Sequence, residues 1–294
     1  LIVLGEGNKT IVELLQIYPD KEKIKTIKGI AFKDSNNNCI STNKRSNYHL
    51  DLDSIPYPAY DLICEESMPL MVRIFTSKGC PFSCAFCSCD TFYKNAYEDY
   101  QMVFRDVTKV VDEIEFTFNK YKMKFYCFGD LTFMSNKKYA YEICHEIINR
   151  KLNHIKWWCQ TTVGRLNEDD LKLMKEAGCV QIGLGVENIT QSNIDIMGKL
   201  IKVDSTEEQC KLIKKAGIDP ITYWIIGLGN ETFDTAKDTI DRICYFIRNG
   251  LTEITHIGVP VPYPGSPIWN DPKKYGFEIT NTDFSNYWMN SDEL

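Results

Sequence analysis

The chain has 294 residues, 44% of them hydrophobic and 25% charged, with a formal net charge of -6 and 12 cysteines against 4 histidines. This mixture excludes a wholly disordered or collagen-like chain, and the length supports a sizeable core without cysteine staples. No apolar run approaches the roughly 20 residues that span a bilayer, and the mildly acidic balance does not suggest a general nucleic-acid binder.

Leu1 to Leu4 reads as a strand running into Gly5-Glu6-Gly7, followed by a short helix over Thr10 to Ile17. A Lys-rich stretch (Lys21 to Lys28), a strand at Gly29 to Lys33 and a polar turn at Asn36-Asn37-Asn38 come next. Ile55-Pro56-Tyr57-Pro58 reads as an extended linker, because each proline restricts the residue before it. From Met71 the pattern alternates. Strands are expected at Met71–Thr76, Lys124–Phe128, Lys156–Thr161, Val180–Val186, Ile221–Ile226 and Ile254–Val259. Helices are expected at Asp106–Asn119, around Ala140–Ile148, and at Glu168–Ala177, Ser205–Ala216 and Thr232–Asn249. Ser205-x-x-Glu208 fits a capping box. Lys172–Gly178 nearly repeats at Lys211–Gly217, and each copy is a helix stopped by glycine before a strand. Six such steps argue for a parallel sheet, as a partial barrel or an open doubly wound sheet, with ligands at the carboxyl ends of the strands.

The chain starts without Met, and Ser291-Asp292-Glu293-Leu294 follows an aromatic cluster without an obvious stop, so it reads as a fragment. Those last residues mimic an ER-retention tail, but no secretory signal accompanies them. The expected compartment is therefore the reducing cytoplasm, where cysteines serve metal ligation and core packing rather than disulfides.

After the first barrel strand, Cys80, Cys84, Cys87 and Cys89 fall within ten residues in the spacing C-x3-C-x2-C-x-C. Three thiolates on one loop can hold three corners of an iron-sulfur cluster and leave one iron open. A structural zinc site would want a second cysteine pair, which is not evident. The stretch Thr76-Ser77-Lys78-Gly79-Cys80-Pro81-Phe82-Ser83-Cys84-Ala85-Phe86-Cys87 resembles the signature of the radical S-adenosylmethionine (SAM) superfamily. The resemblance implies a six-stranded partial barrel and a [4Fe-4S] cluster on Cys80, Cys84 and Cys87. It also implies reductive cleavage of SAM to methionine and a 5'-deoxyadenosyl radical that abstracts hydrogen from a small-molecule substrate. Phe86 matches the signature's aromatic. Gly129 and Asp130 stand where relatives contact the SAM amino group. Glu187, in Gly183-Leu184-Gly185-Val186-Glu187-Asn188, would face SAM or its ribose, with Asn188 replacing the usual serine. Gly227, in Ile225-Ile226-Gly227-Leu228-Gly229-Asn230-Glu231-Thr232, matches the fifth-strand segment, with Gly229-Asn230 replacing Pro-Gly. Thr162-Val163-Gly164 lacks the arginine that relatives often carry there; Arg165 is nearby.

Val3–Thr10, Ile55–Leu62 and Pro262–Pro267 resemble the flanks of class B, cobalamin-dependent radical SAM proteins. That resemblance implies an α/β fold: a partial (β/α)6 TIM-like barrel with a remnant of an N-terminal Rossmann-like domain. Residues 1–20 would end a cobalamin-binding-like domain, 21–65 form a linker, 66–268 the barrel, and 269–294 begin a C-terminal extension. Cobalamin would bind through residues outside this chain, because no Asp-x-His-x-x-Gly is present. The expected chemistry is methyl transfer or rearrangement, with a flavodoxin or ferredoxin-type electron donor and neither nucleic acid nor membrane as partner. Cys89 also resembles the oxygen-independent coproporphyrinogen oxidase group, though an ordinary half-buried thiol is the favoured reading. A non-catalytic iron-sulfur carrier or binding module is the remaining alternative. Cys127, Cys144, Cys159, Cys179, Cys210 and Cys244 read as core thiols, and His256 as structural. Trp157, Trp158 and Trp224 read as packing, and the direction of Tyr223 and Tyr263 is left open.

Overall fold

The computed structural model describes residues 1–45, 51–63, 71–98 and 100–282. The expected boundary at 65/66 and the Ser291–Leu294 tail lie outside the described residues.

The N-terminal part contains a small antiparallel sheet in the order β1 (Ile2–Val3), β2 (Ile30–Lys33), β3 (Cys39–Ser41). Helix α1 (Asn8–Ile17) and the single turn α2 (Lys21–Ile24) connect the first two strands. Leu14, Ile27 and Ile30 form its small core. The proline-rich segment is not simply extended. It carries 3-10 turns at Leu52–Ser54 and Tyr60–Leu62. Asp53 anchors it to the rest of the protein by accepting from Arg105 Nε at 3.1 Å and from the Asp106 N–H at 2.7 Å.

The barrel strands follow as β4 (Val72–Ile74), β7 (Phe125–Phe128), β8 (Lys156–Thr162), β9 (Cys179–Glu187), β10 (Asp219–Ile225) and β11 (Ile254–Gly258). Between β4 and β7, a short ribbon pairs β5 (Ser77–Lys78) with β6 (Val103–Phe104), so the expected continuous Met71–Thr76 strand stops at Ile74. The barrel sheet has six strands in the order β11-β10-β9-β8-β7-β4, and every neighbouring pair is parallel. The crossovers carry α4 (Val107–Tyr121), α5 (Lys137–Asn149), α6 (Glu168–Glu176), α8 (Ser205–Lys215) and α9 (Phe233–Arg248). Two further helices lie at the strand ends: α3 (Cys89–Ala96) after the cysteine loop and α7 (Gln191–Ile196) after β9.

The apolar helix faces make the core. Val110, Val111 and Ile114 of α4, Ile143 and Ile147 of α5, and Leu171 of α6 are fully buried against Ile74, Phe128, Trp157 and Ile182. Full burial of one such aliphatic side chain stabilises by roughly 1.5–3 kcal/mol. Cys144, Cys159, Cys179 and Cys210 are buried free thiols in this layer, and Cys244 is half-buried. The expected capping box at Ser205 is not formed. Ser205 already lies inside α8, Asp204 precedes it, and the Ser205 hydroxyl donates to the Lys202 carbonyl at 2.6 Å.

A second, smaller core closes the carboxyl ends of the strands. It joins Ala85, Met197, Leu228, Ile268 of the short helix α10 (Pro267–Asn270), and Tyr275. Here the backbone of Gly229 crosses that of Tyr275 and Gly276. A Cβ on Gly229 would lie 1.8 Å from the Tyr275 carbonyl oxygen, so only glycine fits.

Candidate functional site

The cysteine loop runs from β5 to α3 across the carboxyl end of the sheet. Its shape is set by hydrogen bonds from outside the loop and one turn within it. The Cys80 N–H donates to the Tyr100 hydroxyl at 3.0 Å, and the Cys87 N–H closes a turn on the Cys84 carbonyl at 3.0 Å. Ala85 is held on both sides: its N–H donates to the Met197 carbonyl at 2.8 Å, and its carbonyl accepts from the Ile268 N–H at 3.1 Å. Phe86 packs against the small core at the strand ends. Cys80, Cys84 and Cys87 are half-buried.

Burial pushes the Cys84 thiol up to about 11 and raises Cys80 as well, and each is raised further by the proximity of Cys87. The Lys199 ammonium opposes this at both, favouring thiolate. A hydrogen bond from Cys89 pulls Cys87 down to about 6, and the same bond raises Cys89. The Cys89 N–H also donates to Cys87 Sγ at 3.4 Å. Cys89 thus supports Cys87 while packing beside Tyr93, Tyr97 and Tyr100. Among the described residues, no three His, Cys, Asp or Glu side chains converge as one metal ion requires. Three neighbouring thiols on one strapped loop, beside a cation that favours thiolate, are the donor type an iron-sulfur cluster takes.

Asp130 follows β7 and is engaged by the chain's own donors. It is 3% exposed, and its oxygens accept from the Thr76 N–H at 3.2 Å, the Thr76 hydroxyl at 2.9 Å and the Ser77 hydroxyl. Burial raises its pKa against the pull of those donors. Asp130 therefore ties the chain between β4 and the cysteine loop to β7. Gly129 beside it lies under Arg73 and Phe75: a Cβ there would meet Phe75 Cε1 at 2.8 Å and Arg73 Cγ at 2.9 Å.

Glu187 closes β9 in a left-handed conformation (φ 67°) and pairs with Lys199 in a nearly buried ion pair. Lys199 thus places a cation at this strand end, close to the cysteine loop. No motif marked it, because it reaches Glu187 across the whole of α7. Arg165 is near as well, with its guanidinium 5.1 Å from the ring centroid of Phe82 in the cysteine loop.

Asn188 is fully buried and joins two strand ends. Its amide donates to the Ile225 carbonyl at 3.2 Å and to Glu231 at 2.7 Å, and its oxygen accepts from the Thr190 N–H at 2.9 Å. Glu231 accepts in turn from the Gly227 N–H. Gly227 is therefore held by Glu231, with φ 90°.

Comparison with known proteins agrees with this architecture. The family model "Radical SAM superfamily" matches residues 74–243. The anaerobic magnesium-protoporphyrin IX monomethyl ester cyclase of Cereibacter sphaeroides is 31% identical over 299 residues, covering 98% of this chain and 46% of that protein. An uncharacterised methyltransferase of Pyrococcus horikoshii is 29% identical over 273 residues, covering 91% and 57%. The chain thus spans about half the length of these relatives. Among solved structures, the radical SAM methyltransferase TsrM from Kitasatospora setae superposes with a TM-score of 0.69 at 18% identity, over 92% of this chain and 54% of that one. The cobalamin-dependent radical SAM enzyme OxsB superposes with a TM-score of 0.64 at 18% identity, over 81% and 35%. The partial barrel is thus shared with cobalamin-dependent members, and the chain belongs to the radical SAM superfamily.

Proposed function

We propose that this chain is the catalytic half-barrel of a cobalamin-dependent radical SAM enzyme that modifies a small molecule, by methyl transfer or a related rearrangement. The carrying observation is the three-thiol loop strapped at the carboxyl ends of six parallel strands, opposite the Glu187–Lys199 pair. A [4Fe-4S] cluster on Cys80, Cys84 and Cys87 would supply one electron for cleavage of SAM to methionine and a 5'-deoxyadenosyl radical. Lys199 can release Glu187 to hold the SAM carboxylate, freeing Glu187 for the ammonium or ribose. Gly129 makes room for the Arg73 and Phe75 side chains, the backbone at Gly227 allows close approach, Phe86 supports the loop, and Asp130 fixes the loop's entry without touching the ligand. The electron would come from a flavodoxin or ferredoxin-type donor in the cytoplasm.

The relatives named as methyltransferases and the fold shared with TsrM and OxsB support methyl transfer. The flanks favour residues 1–20 as the end of a cobalamin-binding unit, 21–65 as a connector, 66–268 as the barrel, and 269–294 as the start of an extension. Among the described residues no helix is long and apolar enough to cross a membrane.

Anaerobic reconstitution with iron and sulfide, then reduction by dithionite with SAM, should yield 5'-deoxyadenosine. Cys84→Ala should lower both bound iron and 5'-deoxyadenosine to background. A fully loaded, reducible protein that leaves SAM intact would be an electron carrier, and the proposal would fail.

A further inference from the structure

The inner face of the barrel sheet carries groups that the cysteine loop does not use. Side chains alternate along a strand. Tyr126, Trp157 and Trp224 face the helices: Tyr126 bonds the Ile114 carbonyl, Trp157 the Ala177 carbonyl, and Trp224 packs on Phe246. Cys127, Trp158 and Tyr223 therefore face the interior. Register places Arg73 beside Cys127, and Cys127 beside Trp158. Further round the wall, His256 is paired with Tyr223.

Two features of this wall point to a ligand. The first is a flat aromatic surface. The Tyr223 and His256 rings stack with centroids 5.0 Å apart at 10°. Gly183 makes this possible, because a Cβ there would meet Tyr223 Cε2 at 2.9 Å. Across Gly183 the Gln160 amide reaches the Tyr223 hydroxyl at 3.5 Å. The second is a lone cation. Arg73 is solvent-exposed, lies along Gly129 and stands beside Cys127 of the neighbouring strand. No carboxylate pairs with it among the described residues. Asp219, on the same inward parity of β10, is paired with Lys214 at 3.0 Å. A planar guanidinium without a counter-ion, on the same inner face of the sheet as an aromatic pair, matches a carboxylate on a flat body.

We propose that the inside of the half-barrel binds a flat conjugated ring system bearing a carboxylate, with the Tyr223–His256 pair against the ring and Arg73 on the carboxylate. The assignment deepens the reading of the chain as a SAM-cleaving half-barrel and rests on it for one point only. Arg73 lies on the strand that leads into the cysteine loop, so a carboxylate held there leaves the rest of the ring free to extend towards that loop.

The test is equilibrium binding of three probes to the reconstituted protein: protoporphyrin IX, its dimethyl ester, and indole-3-acetate. Binding is read by quenching of tryptophan fluorescence that is lost in Trp158→Phe. At least one free acid should bind. Arg73→Gln should weaken the acid by about 10- to 100-fold, the range of a charge-assisted pair. It should leave the ester unchanged, and Arg73→Lys should fall between. Tyr223→Leu should weaken acid and ester alike, by about 2- to 10-fold. Binding of the indole alone would assign a small ring, and binding of the porphyrin alone a tetrapyrrole. Binding of neither acid, or an equal effect of Arg73→Gln on acid and ester, would overturn the proposal. SAM cleavage measured on the same preparation separates the two readings. Cleavage without acid binding would defeat this inference alone, and Arg73-dependent binding without cleavage would defeat the proposed function alone.

Discussion

Glu187 and Lys199 sit 12 residues apart in the chain, and their side chains are only 11% and 7% exposed. Two charges so far from water are tolerated because each neutralises the other, and removing one leaves the other buried and unpaired. Lys199→Met should therefore cost about 3 kcal/mol of stability, read as a lower urea midpoint at unchanged slope. The double variant Lys199→Met, Glu187→Gln should recover most of that loss. If the single variant is as stable as the parent, the pair is not buried in solution as it is here. Such pairs are invisible in sequence. The motif around Glu187 was legible from its glycines and its place after a strand. The lysine was one of many charged residues, and only the path of α7 brings it back. The direction of Asp130 was equally hidden, because Gly-Asp at a strand end suits an outward ligand contact and an inward tie equally well.

At the scale of elements, the six barrel strands and the five crossover helices α4, α5, α6, α8 and α9 were legible, because each strand is a short apolar run and each helix shows one apolar stripe. The two helices at the strand ends were missed for a physical reason. Helix α3 reads Cys-Asp-Thr-Phe-Tyr-Lys-Asn-Ala, without a sustained stripe, and α7 has only six residues. Both are fixed by the loop beside them rather than by their own pattern. The Gly229 crossing belongs to this scale too. The sequence marked Gly229-Asn230 as a departure from Pro-Gly, and the reason is the 272–276 segment lying across it. Gly229→Ala cannot be accommodated without moving that backbone. The expected loss is about 2 kcal/mol or more, as for overpacking in a tight site. Limited proteolysis should show cleavage between residues 265 and 277 rising in the variant, with the strands protected. Unchanged proteolysis and stability would mean the two segments are not in contact.

Across the whole molecule, the parallel sheet must be held together at its carboxyl ends without its own hydrogen bonds, because the chain leaves each strand there. Three ties do this: Asp130 between the first two strands in space, Asn188 with Glu231 between β9 and β10, and the small core around Ala85 and Leu228. Of these, the Asp130 tie makes a pH signature for the fold as a whole. Burial raises its folded pKa above the ordinary carboxylate value of 3.8, so the folded protein holds that proton more tightly than the unfolded chain. The sign follows by linkage: this group's contribution is most favourable at low pH and declines as pH rises from the unfolded value through the folded one. Asp130→Asn removes the titration but keeps the shape, at the cost of one acceptor among Thr76 and Ser77. Urea midpoints of parent and variant, measured as a series from about pH 4 to pH 7, should therefore diverge in one direction. The variant should fall furthest behind at the acid end and gain on the parent as pH rises. A difference that grows against the variant with rising pH would mean that the Thr76 and Ser77 donors outweigh burial and hold Asp130 below its unfolded value. The tie would then be a charged anchor instead of a desolvated one.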